Sequence, residues 1–263
     1  MRFSIYAAVG GLMLAACTPT TTGPTIDGTY NANVASAKLS TKPDVLTLKD
    51  GEYDCTSCTP PYKFPADGQP HPVAGRDYWD AASVKIVDAK TLEMTRYRKG
   101  AVVGTSKAEL SIDGDMLAYT MPSSDNAEGK RVTNVLMSKH SGPAPDGAHA
   151  SSGSWVAVND GAQLADDAIT ATIRLNGDTV TQSFPTGERY EAKLGGPQVP
   201  LVGDKAGTMI AVVAEGKGFK ETASVGGKLV GEYVYTPVDD TTVTMTAKDL
   251  KAGTTEEYTL KKQ

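Results

Sequence analysis

The chain has 263 residues, with 26 Lys and Arg against 31 Asp and Glu for a formal net charge of −5, and it is 40% hydrophobic but only 6% aromatic. That length supplies one large domain or two small ones, and mild acidity without a basic cluster excludes binding driven by phosphate neutralisation, so no nucleic acid partner is expected. Three Cys exclude a dense disulfide scaffold, and three His (His71, His140, His149) leave little imidazole for a catalytic or multi-metal centre.

Residues 1–16 carry one early positive charge, Arg2, and then an apolar run from Ile5 to Ala16. About a dozen apolar residues are too few to cross a bilayer as a helix, which takes ~20, so the segment reads as a signal peptide. The sequence Leu14-Ala15-Ala16-Cys17 resembles the lipobox of bacterial lipoproteins. That resemblance implies cleavage before Cys17 and anchoring of Cys17 in the membrane by several acyl chains, palmitate among them, since one chain alone holds only marginally. Thr18 stands where Asp would mark inner-membrane retention, so the expected location is the outer membrane, facing the periplasm. Residues 17–27 form a lipidated tether whose polar, Pro- and Gly-punctuated stretch TPTTTGP shows no periodicity. Ten extended residues span at most ~35 Å, so the folded part stays near the membrane.

Beyond the tether the chain repeats itself at a separation that drifts between 125 and 128 residues. Gly28-Thr29-Tyr30 matches Gly153-Ser154-Trp155, and Asp50-Gly51 matches Asn176-Gly177. The series continues with Phe64 and Tyr190, Val73 and Leu201, Leu92 and Phe219, Thr95 and Thr222, Gly100 and Gly227, and Leu117 and Val243. Two β repeats are expected, at 28–140 and 153–263, joined by a Gly-, Pro-, Ser- and Ala-rich linker at 141–152. In the first repeat, alternating runs bounded by turn residues predict strands at 83–88, 91–97, 101–110, 115–121 and 132–137. In the second they predict strands at 154–158, 169–175, 178–183, 189–193, 209–213, 219–225, 228–235, 241–246 and 256–260. Asn176-Gly177 is the strongest hairpin signal, a type I′ turn with positive φ at both residues, and Asp50-Gly51 is its equivalent. No amphipathic helix exceeds two turns.

So many short strands closed by hairpins predict an all-β fold of two tandem antiparallel barrels or barrel-like sandwiches. The Gly-x-aromatic opening of each copy resembles the first strand of lipocalin-like barrels. GTYNANVASAKLS from Gly28, PVAG from Pro72, TLEMTRYRKGAVVGTS and SIDGDMLAYTM together resemble uncharacterised bacterial envelope lipoproteins with tandem lipocalin-like β repeats. The resemblance covers most of residues 28–139 and, more loosely, 153–262, with Tyr30 where Trp is more usual. It implies a lipocalin-like fold, and a hollow or a filled barrel is equally compatible with it.

Cys55 and Cys58, in YDCTSCTPPYKF, are the one motif with reactive potential. In an exported protein they are expected to pair as a short-loop disulfide. Redox activity and metal capture with His71 are the alternatives. Thr59-Pro60-Pro61 blocks the helix that lowers a thiol pKa in thioredoxin-like motifs, and Thr59, not His, after Cys58 excludes haem attachment. Tyr53, Tyr78 and Trp79 cluster with the Pro-rich loop of the first repeat and are the candidate ligand- or partner-binding residues; as a plainer reading, Tyr78 and Trp79 cover the end of the core. The second repeat lacks these aromatics, which places any specific site in the first. There is no nucleophile elbow, His-Glu-x-x-His, P-loop or dinucleotide fingerprint, so neither catalytic residues nor a cofactor are assigned. His149 near Ser151-Ser152-Gly153-Ser154 is sequence proximity, not triad geometry.

The expectation is therefore a non-enzymatic, lipid-anchored envelope protein that binds a small apolar or amphipathic ligand, with an apolar cavity of about 300 Å³ or more. The alternative is a structural or interaction protein of the envelope with filled barrels and an exposed aromatic patch on the first repeat. The low aromatic content favours filled barrels.

Overall fold

A computed structural model describes residues 26–263; the expected signal peptide, Cys17 and most of the tether lie outside them. The described chain is built of strands β1 (Gly28–Lys38), β2 (Asp44–Lys49), β3 (Glu52–Cys55), β4 (Tyr62–Pro65), β5 (His71–Pro72), β6 (Ala81–Asp88), β7 (Thr91–Arg98), β8 (Ala101–Leu110), β9 (Met116–Ser123) and β10 (Val132–Gly142). They continue as β11 (Gly153–Gln163), the one-turn helix α1 (Asp166–Ile169), β12 (Thr170–Asn176), β13 (Thr179–Ser183), β14 (Arg189–Lys193), β15 (Val199–Pro200), β16 (Met209–Glu215), β17 (Gly218–Val225), β18 (Lys228–Asp239), β19 (Thr242–Asp249) and β20 (Thr254–Lys262).

These strands form two 10-stranded antiparallel sheets, each curled into a nearly closed barrel. Barrel one runs β4-β3-β2-β11-β10-β9-β8-β7-β6-β5, and barrel two runs β14-β13-β12-β1-β20-β19-β18-β17-β16-β15. The seams are held by isolated bridges, Asp67 to Lys85 in barrel one and Leu194 to Val212 in barrel two. Alternation sets the faces: β14 reads exposed-buried-exposed-buried-exposed, with Tyr190 and Ala192 inward. The core of barrel one gathers Leu48, Val84, Leu117 and Trp155, and that of barrel two Tyr30, Ile173, Val212, Phe219 and Val243.

The repeats and the barrels do not coincide. β1, which opens the first repeat, inserts between β12 and β20 of barrel two, while β11, which opens the second, pairs with β2 and β10 of barrel one. Both crossing strands keep one local device. The Tyr30 hydroxyl donates to the Ile26 carbonyl at 3.0 Å, and the Trp155 indole N–H donates to the Ser151 carbonyl at 3.0 Å, each four residues back in the chain. Periodicity tells which face of a strand turns inward; it carries no information on which sheet receives that face.

The stretch expected as a linker is accordingly the loop between two paired strands of barrel one, β10 and β11. It folds back onto β2: the His149 amide donates to the Leu48 carbonyl at 2.8 Å, and the Leu48 amide donates to Ser152 Oγ at 2.9 Å. The Ser and Gly composition read as flexibility thus serves local backbone satisfaction. His149 Nε2 faces the Asp88 carbonyl at 2.8 Å and so carries the ring proton, leaving Nδ1 to accept from the Ser151 hydroxyl at 2.9 Å.

Two finer expectations also shift. Asp50 and Gly51 have φ of 52° and 78°, as a type I′ turn requires, and link Lys49 to its partner Glu52. In the second repeat Asn176 itself pairs with Thr179, so the turn residues are Gly177 and Asp178, and only Gly177 (φ 61°) is left-handed, as in a type II′ turn. Strand register also realigns the repeat. Cys55 pairs with Tyr62 in barrel one where Gln182 pairs with Tyr190 in barrel two, so Tyr190 is the counterpart of Tyr62, not of Phe64.

Candidate ligand cavity

Barrel one contains a partly open cavity of about 390 Å³. Its apolar wall includes Leu46, Val84, Leu92, Met94, Ala108 and Leu117, and polar groups enter from Tyr53, Tyr62, Tyr119 and Arg96. At the junction with barrel two, Val34 and Ala37 of the crossing strand β1 and Glu256 and Tyr258 of β20 complete the lining. The low aromatic content favoured filled barrels, and for barrel one that expectation does not hold.

The pairing register explains the space. Leu92 faces Ala108 and Met94 faces Ser106 across β7 and β8, a large residue against a small one each time. The same two positions of barrel two hold Phe219 against Tyr235 and Glu221 against Tyr233. Phe219 and Tyr235 stack with ring centroids 4.7 Å apart, filling the volume that barrel one leaves open.

Barrel two instead holds a buried polar chain. Gln182 Nε2 donates to the Tyr235 hydroxyl at 3.2 Å, the Tyr190 hydroxyl donates to Gln182 Oε1 at 2.9 Å, and that hydroxyl also lies 2.7 Å from Glu221 Oε2. A phenol has one proton, so Tyr190 donates to one of these two acceptors at a time, and the shorter contact is the one to Glu221. Burial pushes the Glu221 carboxyl up to about 7, with the hydrogen bond donated by Tyr190 opposing, so a protonated Glu221 is accessible at neutral pH.

The candidate residues separate. Tyr53 is buried and lines the cavity. Trp79 does not enter it; its ring meets Tyr62 edge-on at 5.7 Å and is flanked by the guanidiniums of Arg76 at 5.3 Å and Arg96 at 6.0 Å. Tyr78 is 45% exposed, with its hydroxyl toward Thr208 and Asp204 of barrel two, so it belongs to the junction between the barrels. The Cys55 and Cys58 sulfurs are at disulfide distance, 1.95 Å, and both residues line the cavity. His71 stacks on Phe64 at 5.4 Å and contacts Asp67 at 2.8 Å. Among the described residues no group of three or more His, Cys, Asp or Glu is placed to hold a metal.

Sequence reasoning missed Arg96, Tyr62 and Tyr119. A signal was present for the first: Leu92, Met94 and Arg96 are spaced by two, so a strand that turns Leu92 inward also turns Arg96 inward. Burial pushes the Tyr53 and Tyr119 hydroxyls well above the usual phenol range, so both remain proton donors. The chain matches no protein-family model, no curated protein and no solved structure.

Proposed function

We propose that this is a non-enzymatic envelope protein, anchored through acyl chains on Cys17 to the periplasmic face of the outer membrane, that binds a small apolar or amphipathic ligand inside barrel one. The observation that carries the reading is the cavity of about 390 Å³, with a mainly apolar wall and a few converging polar groups. Its volume falls within the ~300–1,000 Å³ usual for small-molecule sites. The lipobox-like Leu14 to Cys17 supports the anchor, and the resemblance to lipocalin-like envelope proteins agrees with a barrel that holds a ligand. The filled second barrel favours a structural share for that half: it closes over β1 and so fixes the strand that helps to line the cavity.

Native mass spectrometry of the full mature protein, purified from envelopes and followed by organic extraction, tests this. One apolar molecule per chain, released on denaturation, is the expected result. A clean apo mass, together with no uptake of a solvatochromic apolar dye, would overturn it and leave an interaction protein of the envelope.

A further inference from the structure

The polar groups of the cavity are unbalanced in kind. The guanidinium of Arg96 has no carboxylate within 4.0 Å among the described residues and makes no side-chain hydrogen bond. By contrast Arg98, two residues on, donates through Nη2 to both carboxylate oxygens of Asp125 at 2.8 Å. Around Arg96 stand the phenols of Tyr53, Tyr62 and Tyr119. The Tyr53 and Tyr62 hydroxyls approach one another, and none of the three reaches a carbonyl, carboxylate or amide of the described chain. A half-buried guanidinium beside the Trp79 ring and three phenols therefore present donors to an apolar space that holds no acceptor paired with them in the described chain.

Two carboxylates also reach the cavity. Glu256 accepts from the Tyr258 hydroxyl. Asp44 is exposed, and its carboxyl is raised by burial of that carboxyl, with Lys42 opposing. Both also line an adjoining hollow of about 200 Å³ shared with Ser40, Lys42 and Thr254. Neither pairs with Arg96 within 4.0 Å, while the Asp44 charge helps to raise the Tyr62 and Tyr119 hydroxyls.

We infer that barrel one takes a single-chain amphiphile bearing a carboxylate, with the carboxylate held by Arg96 and the Tyr53, Tyr62 and Tyr119 hydroxyls and the chain lying among Leu46, Val84, Leu92 and Leu117. The planar guanidinium fork matches a carboxylate with two parallel hydrogen bonds. The volume, near the small end of the ligand-site range, suits one chain rather than a multi-chain lipid. This inference rests on the ligand-binding reading proposed above and goes further by naming the headgroup.

Calorimetric titration of the delipidated full protein with decanoate, decanol and decyltrimethylammonium separates the two readings. Decanoate is expected to bind about tenfold or more tighter than either of the others, and in Arg96→Met no tighter than decanol. Equal binding of decanoate and decanol, tighter binding of the cation, or a preference that survives Arg96→Met would overturn the headgroup assignment while leaving the cavity reading intact. Binding of none of the three would remove both. If Arg96→Met fails to fold, Arg96→Lys replaces it: decanoate is expected to weaken more than decanol, and equal weakening overturns the inference.

Discussion

At one matched pair of wall positions barrel one has Leu92 against Ala108 and barrel two has Phe219 against Tyr235; at the next, Met94 faces Ser106 where Glu221 faces Tyr233. The two barrels share strand number and order and differ in one connection: β10 and β11 are consecutive in the chain, whereas their counterparts β20 and β1 are the last and first described strands. What differs inside them is the volume and chemistry of a few inward side chains. The same backbone therefore yields an apolar hollow in one place and a packed interior with a buried carboxyl in the other. A barrel wall accepts either solution because its ladder hydrogen bonds are made whatever the inward side chains are.

The largest expected effect concerns the crossing strands. Residues 26–145 and 150–263, produced separately, are expected not to melt cooperatively, because the first lacks β11 and the second lacks β1, leaving long unpaired edges inside each sheet. Residues 40–164 keep every strand of barrel one and are expected to melt as a unit in calorimetry. If the shorter pieces melt cooperatively and 40–164 does not, the observed pairing is wrong.

Next come exchanges between the barrels. Tyr235→Ala should hollow barrel two and destabilise it by about 3–5 kcal/mol in urea titrations, the usual range for removing a large buried aromatic side chain. Ala108→Tyr in barrel one should instead abolish uptake of an apolar dye while leaving the fold in place. A variant that unfolds, or one that still takes up dye, would break the comparison.

Glu221 sharpens the comparison through pH. Its folded-state value of about 7 lies above the ordinary 4.5, so between these values the folded protein holds a proton that the unfolded chain has released. Stability is therefore expected to fall as pH rises from about 4.5 to about 7, by on the order of 3 kcal/mol, and then to level off. Glu221→Gln should flatten that slope; a wild-type slope of zero would show that the network does not hold the proton.

The smallest effect belongs to the cysteines. Replacing both Cys55 and Cys58 with Ser should cost ~2 kcal/mol, since the pair closes a very short loop. Because both residues line barrel one, the change should also weaken decanoate binding there and leave the pH slope set by Glu221 unaltered.

The all-β class, most strand positions and the Asp50-Gly51 turn were legible in the sequence. Tyr53, singled out in the first repeat, lines the cavity of barrel one. Each of these depends on short-range physics: turn residues that tolerate positive φ, and alternation that marks one face of a strand. The ownership of β1 and β11, the pairing of Tyr62 with Cys55, and the gathering of Arg96, Tyr62 and Tyr119 around one space were decided only by the tertiary structure. Alternation turns a residue inward without naming what stands opposite it. Whether Ala108 leaves a hollow depends on Leu92 across the ladder and on the far wall of the barrel, contacts that exist only once the sheet has curled and closed.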